Sequence, residues 1–255
     1  MPDTIHGMRF EARFAGRGSI DPSQRIVLDH QELDGADLSG RTLIQFVAIG
    51  SRFKSCSFDR MRIEQASFGA GREASEYVDC RFDGARIRFG PGGDARFVRC
   101  SFRDVDLRAW ICHSVEMVDC VFTGRLVRAV FYGSPPPHPL AITTRARNEF
   151  RRNDFSGMEL VDVGFRGGVD LREQRLPSGP EYLYIPSAPD TVRRAMANVA
   201  SLPDSTVREN VTKLLGLLDH TTSRGQQQLF LRKDTYQSFP SDAVDSFFRL
   251  LRLAM

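Results

Sequence analysis

Four of the five cysteines, Cys56, Cys80, Cys100 and Cys120, each stand two residues before a phenylalanine: Phe58, Phe82, Phe102 and Phe122. The cysteines are spaced by 24, 20 and 20 residues, and five residues after each phenylalanine comes an aliphatic residue, Ile63, Ile87, Leu107 or Val127. A beat of five nested in a beat of twenty confines the chain to a repeat architecture, in which each unit buries its apolar side against the next. A helix spaces apolar residues by three and four, and a strand alternates by two. Neither yields five.

The beat extends well beyond the cysteines. From Leu28 the centres run through Leu33, Leu38, Leu43, Ala48, Phe53, Phe58, Ile63 and Phe68. After a nine-residue step they resume at Tyr77 and continue through Phe82, Ile87, Gly92, Phe97, Phe102, Leu107, Cys112, Met117, Phe122, Val127 and Tyr132. A Pro-rich insertion, GSPPPHP, interrupts the count, which restarts at Phe150, Phe155, Leu160 and Phe165 and closes at Leu171. Sorted by four, the centres fall into uniform columns. One holds Leu38, Phe58, Phe82, Phe102, Phe122 and Phe155, and the next holds Leu43, Ile63, Ile87, Leu107, Val127 and Leu160. The interruptions all fall at or beside the corner from the fourth column to the first.

A-D-L-S-G, C-S-F-D-R, C-R-F-D-G and N-D-F-S-G, on a five-residue beat over roughly residues 26–171, resemble the pentapeptide-repeat family. The resemblance implies a mainly β protein, a right-handed four-sided β-helix with four pentapeptides per coil. The centre and the residue two before it would point inward. About six coils, one strand spacing apart, predict a rod of roughly 29 Å. Residues 1–25, with MRFEARF, are expected to cap its start, 26–172 to form the repeat with the insertion at 133–147, and 173–255 to form an α-rich domain or cap. In that last part EYLYI and QQQLFLRK read as strands, and helices are expected after Asp190, from Ser205 and from Ser241.

Cys56, Cys80, Cys100 and Cys120 are thus expected to form a structural ladder beside Phe58, Phe82, Phe102 and Phe122, as small buried thiols filling a narrow bore. Paired CxxC motifs and converging histidines are both lacking, so no metal or cofactor is expected. The five histidines are scattered, no nucleophile motif occurs, and paired carboxylates fall at solvent positions of the repeat. A binding protein is expected, with no catalytic residues. There is no charged-then-apolar leader and no apolar run of membrane-spanning length, so a cytoplasmic location away from membranes is expected.

Function should lie on the outer sides. On the first, Glu32, Arg52, Glu76, Arg96 and Glu116 alternate in sign down the stack, as do Asp79, Arg99, Asp119 and Arg152. Opposite charges on neighbouring strands attract, which predicts a self-stabilising side. The third side gathers like charge: Arg88, Arg108 and Arg128 follow their centres, with Arg62 and Arg86 just before theirs. Stacked like charges repel unless solvated, paired or met by an anion, and these five arginines are the candidate binding residues. The fourth side places Val47, Ile49, Ile111 and Phe131 at outward positions and Trp110 in an inward slot usually given to something small. These five predict a contact face for the C-terminal domain, the Pro-rich loop or a partner.

The best-known activity among pentapeptide-repeat proteins is protection of DNA gyrase by acidic rods that imitate B-form DNA, often dimerising through a C-terminal helix. Here residues 26–171 carry 20 acidic and 20 basic residues, and the whole chain has a net charge of +3. A DNA imitator needs a phosphate-like field. The leading expectation is therefore a non-catalytic scaffold that binds another protein. A gyrase-directed DNA mimic conferring drug or toxin resistance, and a polyanion or nucleic-acid binder using the arginine stripe, are the alternatives. The last helix is apolar enough to support a homodimer.

Overall fold

A computed structural model describes residues 24–90, 93–136 and 145–255. About 43% of the described residues are strand, most of it wound as a β-solenoid of about five turns and followed by a three-helix region. All pairing within the solenoid is parallel, and the register steps by one coil. Leu43 lies beside Ile63, Ile63 beside Ile87, and Ile87 beside Leu107. On the first side the order is Leu33, Phe53, Tyr77, Phe97, Met117 and Phe150, six strands with five steps between them. The expected six coils thus close as about five turns. The expected cap at 1–25 lies almost wholly outside the described residues. So do Gly92 and residues 137–144 of the Pro-rich insertion.

The period of five is written in the backbone. Two residues after a centre the chain turns a corner in the left-handed region, with φ of 53° at Ser55, 55° at Asp79, 51° at Arg99 and 57° at Asp119. That conformation costs an L residue about 1–2 kcal/mol. Dense burial of the centres holds it in place. Phe58, Phe82, Phe102, Phe122 and Phe155 stack nearly parallel, with centroids 4.6, 4.5, 4.7 and 4.6 Å apart. Phe53, Tyr77 and Phe97 form a second stack. Offset aromatic stacking adds about 0.5–1.5 kcal/mol per pair beyond the area buried.

The cysteine ladder is likewise buried, and all five thiols are free. Each ladder thiol donates to carbonyls of its own and the preceding coil. Cys100 Sγ, for example, donates to Tyr77 O at 3.3 Å and Val98 O at 3.5 Å. Burial pushes the Cys100 and Cys112 thiols well above their ordinary pKa, which keeps them protonated and unreactive.

One strand corrects the count in fives. In Val121–Tyr132 the register shifts between Phe122 and Gly124, after which Leu126, not Val127, lies beside Leu107. Gly124 makes this possible. Its φ is +101°, and a Cβ there would lie 2.3 Å from Val105 O. One residue is thereby lost from the unit, and every later role on the strand passes to the residue one earlier in the sequence. Phe131 takes the place expected of Tyr132, between Cys112 and Phe165, and is fully buried. Arg128 becomes the corner residue, with φ of 55°.

The expected apolar contact face is not exposed, and the shift at Gly124 accounts for Phe131 alone, since Val47, Ile49, Trp110 and Ile111 precede it. Phe131 belongs to the bore, and so does Trp110, which stacks on Phe89 at 4.1 Å. Val47 is buried as well, while Ile49 and Ile111 are half-buried. These five residues form no contiguous exposed patch.

The C-terminal unit pairs strand Tyr182–Ile185 antiparallel with Leu229–Arg232 and packs three helices around its own core. Helix α1 spans Ala188–Asn198, α2 Ser205–Ser223 and α3 Ser241–Ala254. α1 starts before the expected Asp190 because Pro189, whose fixed φ suits a first turn, lies inside it. α2 is capped by Asp204, which accepts from Val207 N at 2.9 Å.

This unit closes the end of the solenoid. Gln226 Oε1 accepts from the backbone of Gly168 and Val169 at 3.1 Å, and its Nε2 donates to Val169 O at 2.8 Å. Gln228 Oε1 accepts from Leu171 N at 3.2 Å. Two buried amides thus stand in for the strand that a further coil would supply. The solenoid pairing itself runs past residue 172, since Asp154 and Arg175 form a parallel bridge.

Candidate functional site: an arginine-lined concavity

The third side carries a concavity of about 1150 Å³. Its charged lining is Arg62, Glu64, Arg86, Arg88, Asp106 and Arg108, with Ile63, Ile87 and Phe89 beneath. The strands decide which side chains meet. Arg86–Phe89 alternates exposed and buried, so Arg86 and Arg88 project together while Ile87 and Phe89 point inward. Arg62 lies directly beside Arg86, and Arg88 directly beside Arg108. Two like-charged pairs therefore sit side by side, one strand spacing of about 4.8 Å apart.

Compensation is partial. Arg108 makes a two-bonded salt bridge to Asp106, at 2.9 and 2.7 Å, which holds that carboxyl below its usual pKa. Among the described residues no carboxylate lies within salt-bridge distance of Arg62, Arg86 or Arg88. Elsewhere on the solenoid the expected ladders form. Arg99 binds Asp79 through two bonds and Arg152 binds Asp119 likewise, while Arg52 reaches Glu32 at 3.3 Å. Arg96 joins Glu116 and Glu149, and Arg145 joins Glu116 and Asp94, in a half-buried network on the first side.

Four of the five arginines singled out in the sequence thus come together. Arg128 does not, because the shift at Gly124 sets Val127 beside Arg108 and turns Arg128 onto a corner. Gln65 and His113 also line the concavity, and sequence spacing offers no signal for either. Gly90 lies under Gln65, where a Cβ would stand 3.1 Å from Gln65 Cγ. Among the described residues no group of three or more His, Cys, Asp or Glu is placed to hold a metal ion. None of the described helices is long and apolar enough to cross a membrane. The final helix spends its apolar side at home: Phe247, Phe248 and Leu251 are buried in its own unit, leaving Leu253 and Met255 exposed.

Against models of known protein families and against curated proteins, the chain finds no match.

Proposed function

We propose that this protein is a non-catalytic scaffold of the pentapeptide-repeat type, whose third side holds an acidic segment of another protein. The observation that carries this reading is the stacking of Arg62 on Arg86 and of Arg88 on Arg108, with a single salt bridge among the four. Like charges directly opposite across strands are destabilising, and an anionic partner relieves that cost. Arg86 and Arg88 are two residues apart on one strand, about 6.6 Å at the usual rise. An extended peptide with acidic residues at alternate positions repeats on the same spacing.

Nucleic acid fits less well. Single-stranded binding uses exposed aromatic platforms, and Phe89, the aromatic ring of Phe, Tyr or Trp type in the lining, is buried. DNA imitation directed at gyrase finds less support too, since carboxylates such as Asp79 and Asp119 are neutralised by arginines.

The test compares binding of a labelled peptide of alternating glutamate and serine with that of a single-stranded oligonucleotide of equal charge. Arg62→Gln, Arg86→Gln and Arg88→Gln combined should weaken peptide binding about tenfold or more, from three exposed pairs worth ~0.5–1 kcal/mol each. The salt dependence should flatten with it. Equal peptide binding by the triple variant and the parent, at every salt concentration, refutes the assignment.

A further inference from the structure

A second cleft, of about 1020 Å³, lies where the last turns of the solenoid meet the C-terminal unit. The solenoid lines it with Val130, Val163 and Gly164, and the C-terminal unit with Leu217 of α2, Phe230 and Phe239. Junctions between packed units are preferred places for small-molecule sites, and this volume is of the size such sites have. Leu217 is 55% exposed although Leu214, Leu215 and Leu218 beside it are buried, so apolar surface is left uncovered there.

The charge on the same cleft is one-sided. Arg128, Arg166 and Arg224 line it, all exposed, and none forms a salt bridge among the described residues. Arg232 is already compensated by Glu159 at 2.9 Å and Asp234 at 3.0 Å. Asp162 is the one carboxylate in the lining. The segments bearing Arg166 and Arg224 meet at the junction: a Cβ on Gly168 would lie 3.7 Å from Gly225 O, and Gly168 N donates to Gln226. Guanidinium groups are therefore brought from both units to one apolar cleft.

We propose that this cleft binds an amphipathic anion, a small molecule with an apolar chain or ring and one carboxylate or phosphate head. The apolar body lies against Val130, Val163, Leu217 and Phe239, and the head is held by Arg166 and Arg224. This site is separate from the arginine-lined concavity and does not depend on what that concavity binds. The register shift at Gly124 contributes to it, because it delivers Arg128 to this cleft and not to the third side.

Calorimetric titration of the full chain with dodecanoate, kept below its micelle concentration at neutral pH, tests the proposal. Saturable one-to-one binding is expected, with no comparable binding of dodecyltrimethylammonium, which has the same tail and the opposite charge. Acetate, the head without the tail, should bind far more weakly. Dodecyl phosphate in place of dodecanoate tells which head group the arginines favour, and binding of either supports the site. Arg166→Gln with Arg224→Gln should raise Kd about tenfold or more, as expected for losing a charge-assisted hydrogen bond. Both arginines are exposed, so the fold should survive, as circular dichroism would verify.

A second variant works through shape alone. A Cβ at Gly164 meets only Arg166 Nε at 3.6 Å and Val130 Cγ1 at 4.0 Å, so Gly164→Phe is accepted by the backbone and fills the cleft. It should abolish binding, whereas the triple glutamine variant of the third side should bind dodecanoate like the parent. Failure of both anions to saturate, equal binding of the cation, or parent-like binding by both cleft variants overturns the proposal.

Discussion

The first and third sides of this solenoid share a backbone geometry and carry charge in opposite ways. On the first side Arg52 and Arg96 each stand between carboxylates of neighbouring coils, and charge pairs close with bonds such as those from Arg99 to Asp79. In the concavity of the third side arginine stands over arginine, and of Arg62, Arg86, Arg88 and Arg108 only Arg108 forms a salt bridge, to Asp106 on its own strand; farther along, Arg125 pairs with Glu159. Parallel coils make every outward position a neighbour of its equivalent one turn on. The frame is therefore indifferent to sign, and the choice of residue alone makes one side self-sufficient and leaves the other open to an anion.

The contrast presupposes a common rigid bore, so the largest effect is expected there. Phe102 is 1% exposed and stacks between Phe82 and Phe122, so Phe102→Ala should cost about 3–5 kcal/mol by chemical denaturation. A loss below about 1 kcal/mol would mean the columns are not the frame. On the first side, Glu116 accepts from Arg96 at 2.7 Å and from Glu149 N at 3.1 Å while nearly buried. Glu116→Gln should cost about 1–3 kcal/mol, because arginines in a half-buried setting lose a charged acceptor. No measurable loss would make the first-side network decorative.

Acid should separate the two sides with a smaller signal. Hydrogen bonds from Arg99 and Arg152 hold the Asp79 and Asp119 carboxyls below their ordinary values. A carboxylate with a depressed folded pKa stabilises fully above its unfolded value, near 3.9, and that contribution disappears as pH falls through the folded value. Melting temperature should therefore decline below about pH 4. Replacing Asp79 and Asp119 by Asn should shrink the decline, read as a difference between the two pH profiles. If the profiles superimpose, the exposed ladders contribute nothing. The smallest effect belongs to the third side. The triple glutamine variant at Arg62, Arg86 and Arg88 should change stability by no more than about 0.5 kcal/mol, with a slight gain favoured. A marked loss would show that these arginines hold the fold together.

The four arginines that meet were legible because equivalent positions of a repeat need only counting. Arg128 was misplaced because the count runs in fives through Phe122 and Val127, while the chain spends only four residues there. Nothing in TGRLV distinguishes an ordinary corner glycine from one pressed against Val105 O. The same shift turns Phe131 inward, where the count in fives places it outward.

By itself the sequence determined the solenoid, its coil length and its stacked phenylalanines and cysteines. A periodic chain offers one dominant way to bury its centres, and each coil repeats the instruction. It also determined the alternating signs of the first side and the three helices beyond the last coil. Only the tertiary structure decided the register after Gly124, the closing of the open end by Gln226 and Gln228, and the cleft between solenoid and C-terminal unit. Those features rest on single contacts between residues far apart in the chain, such as Gln226 with Val169, and an interaction that occurs once leaves no period to read.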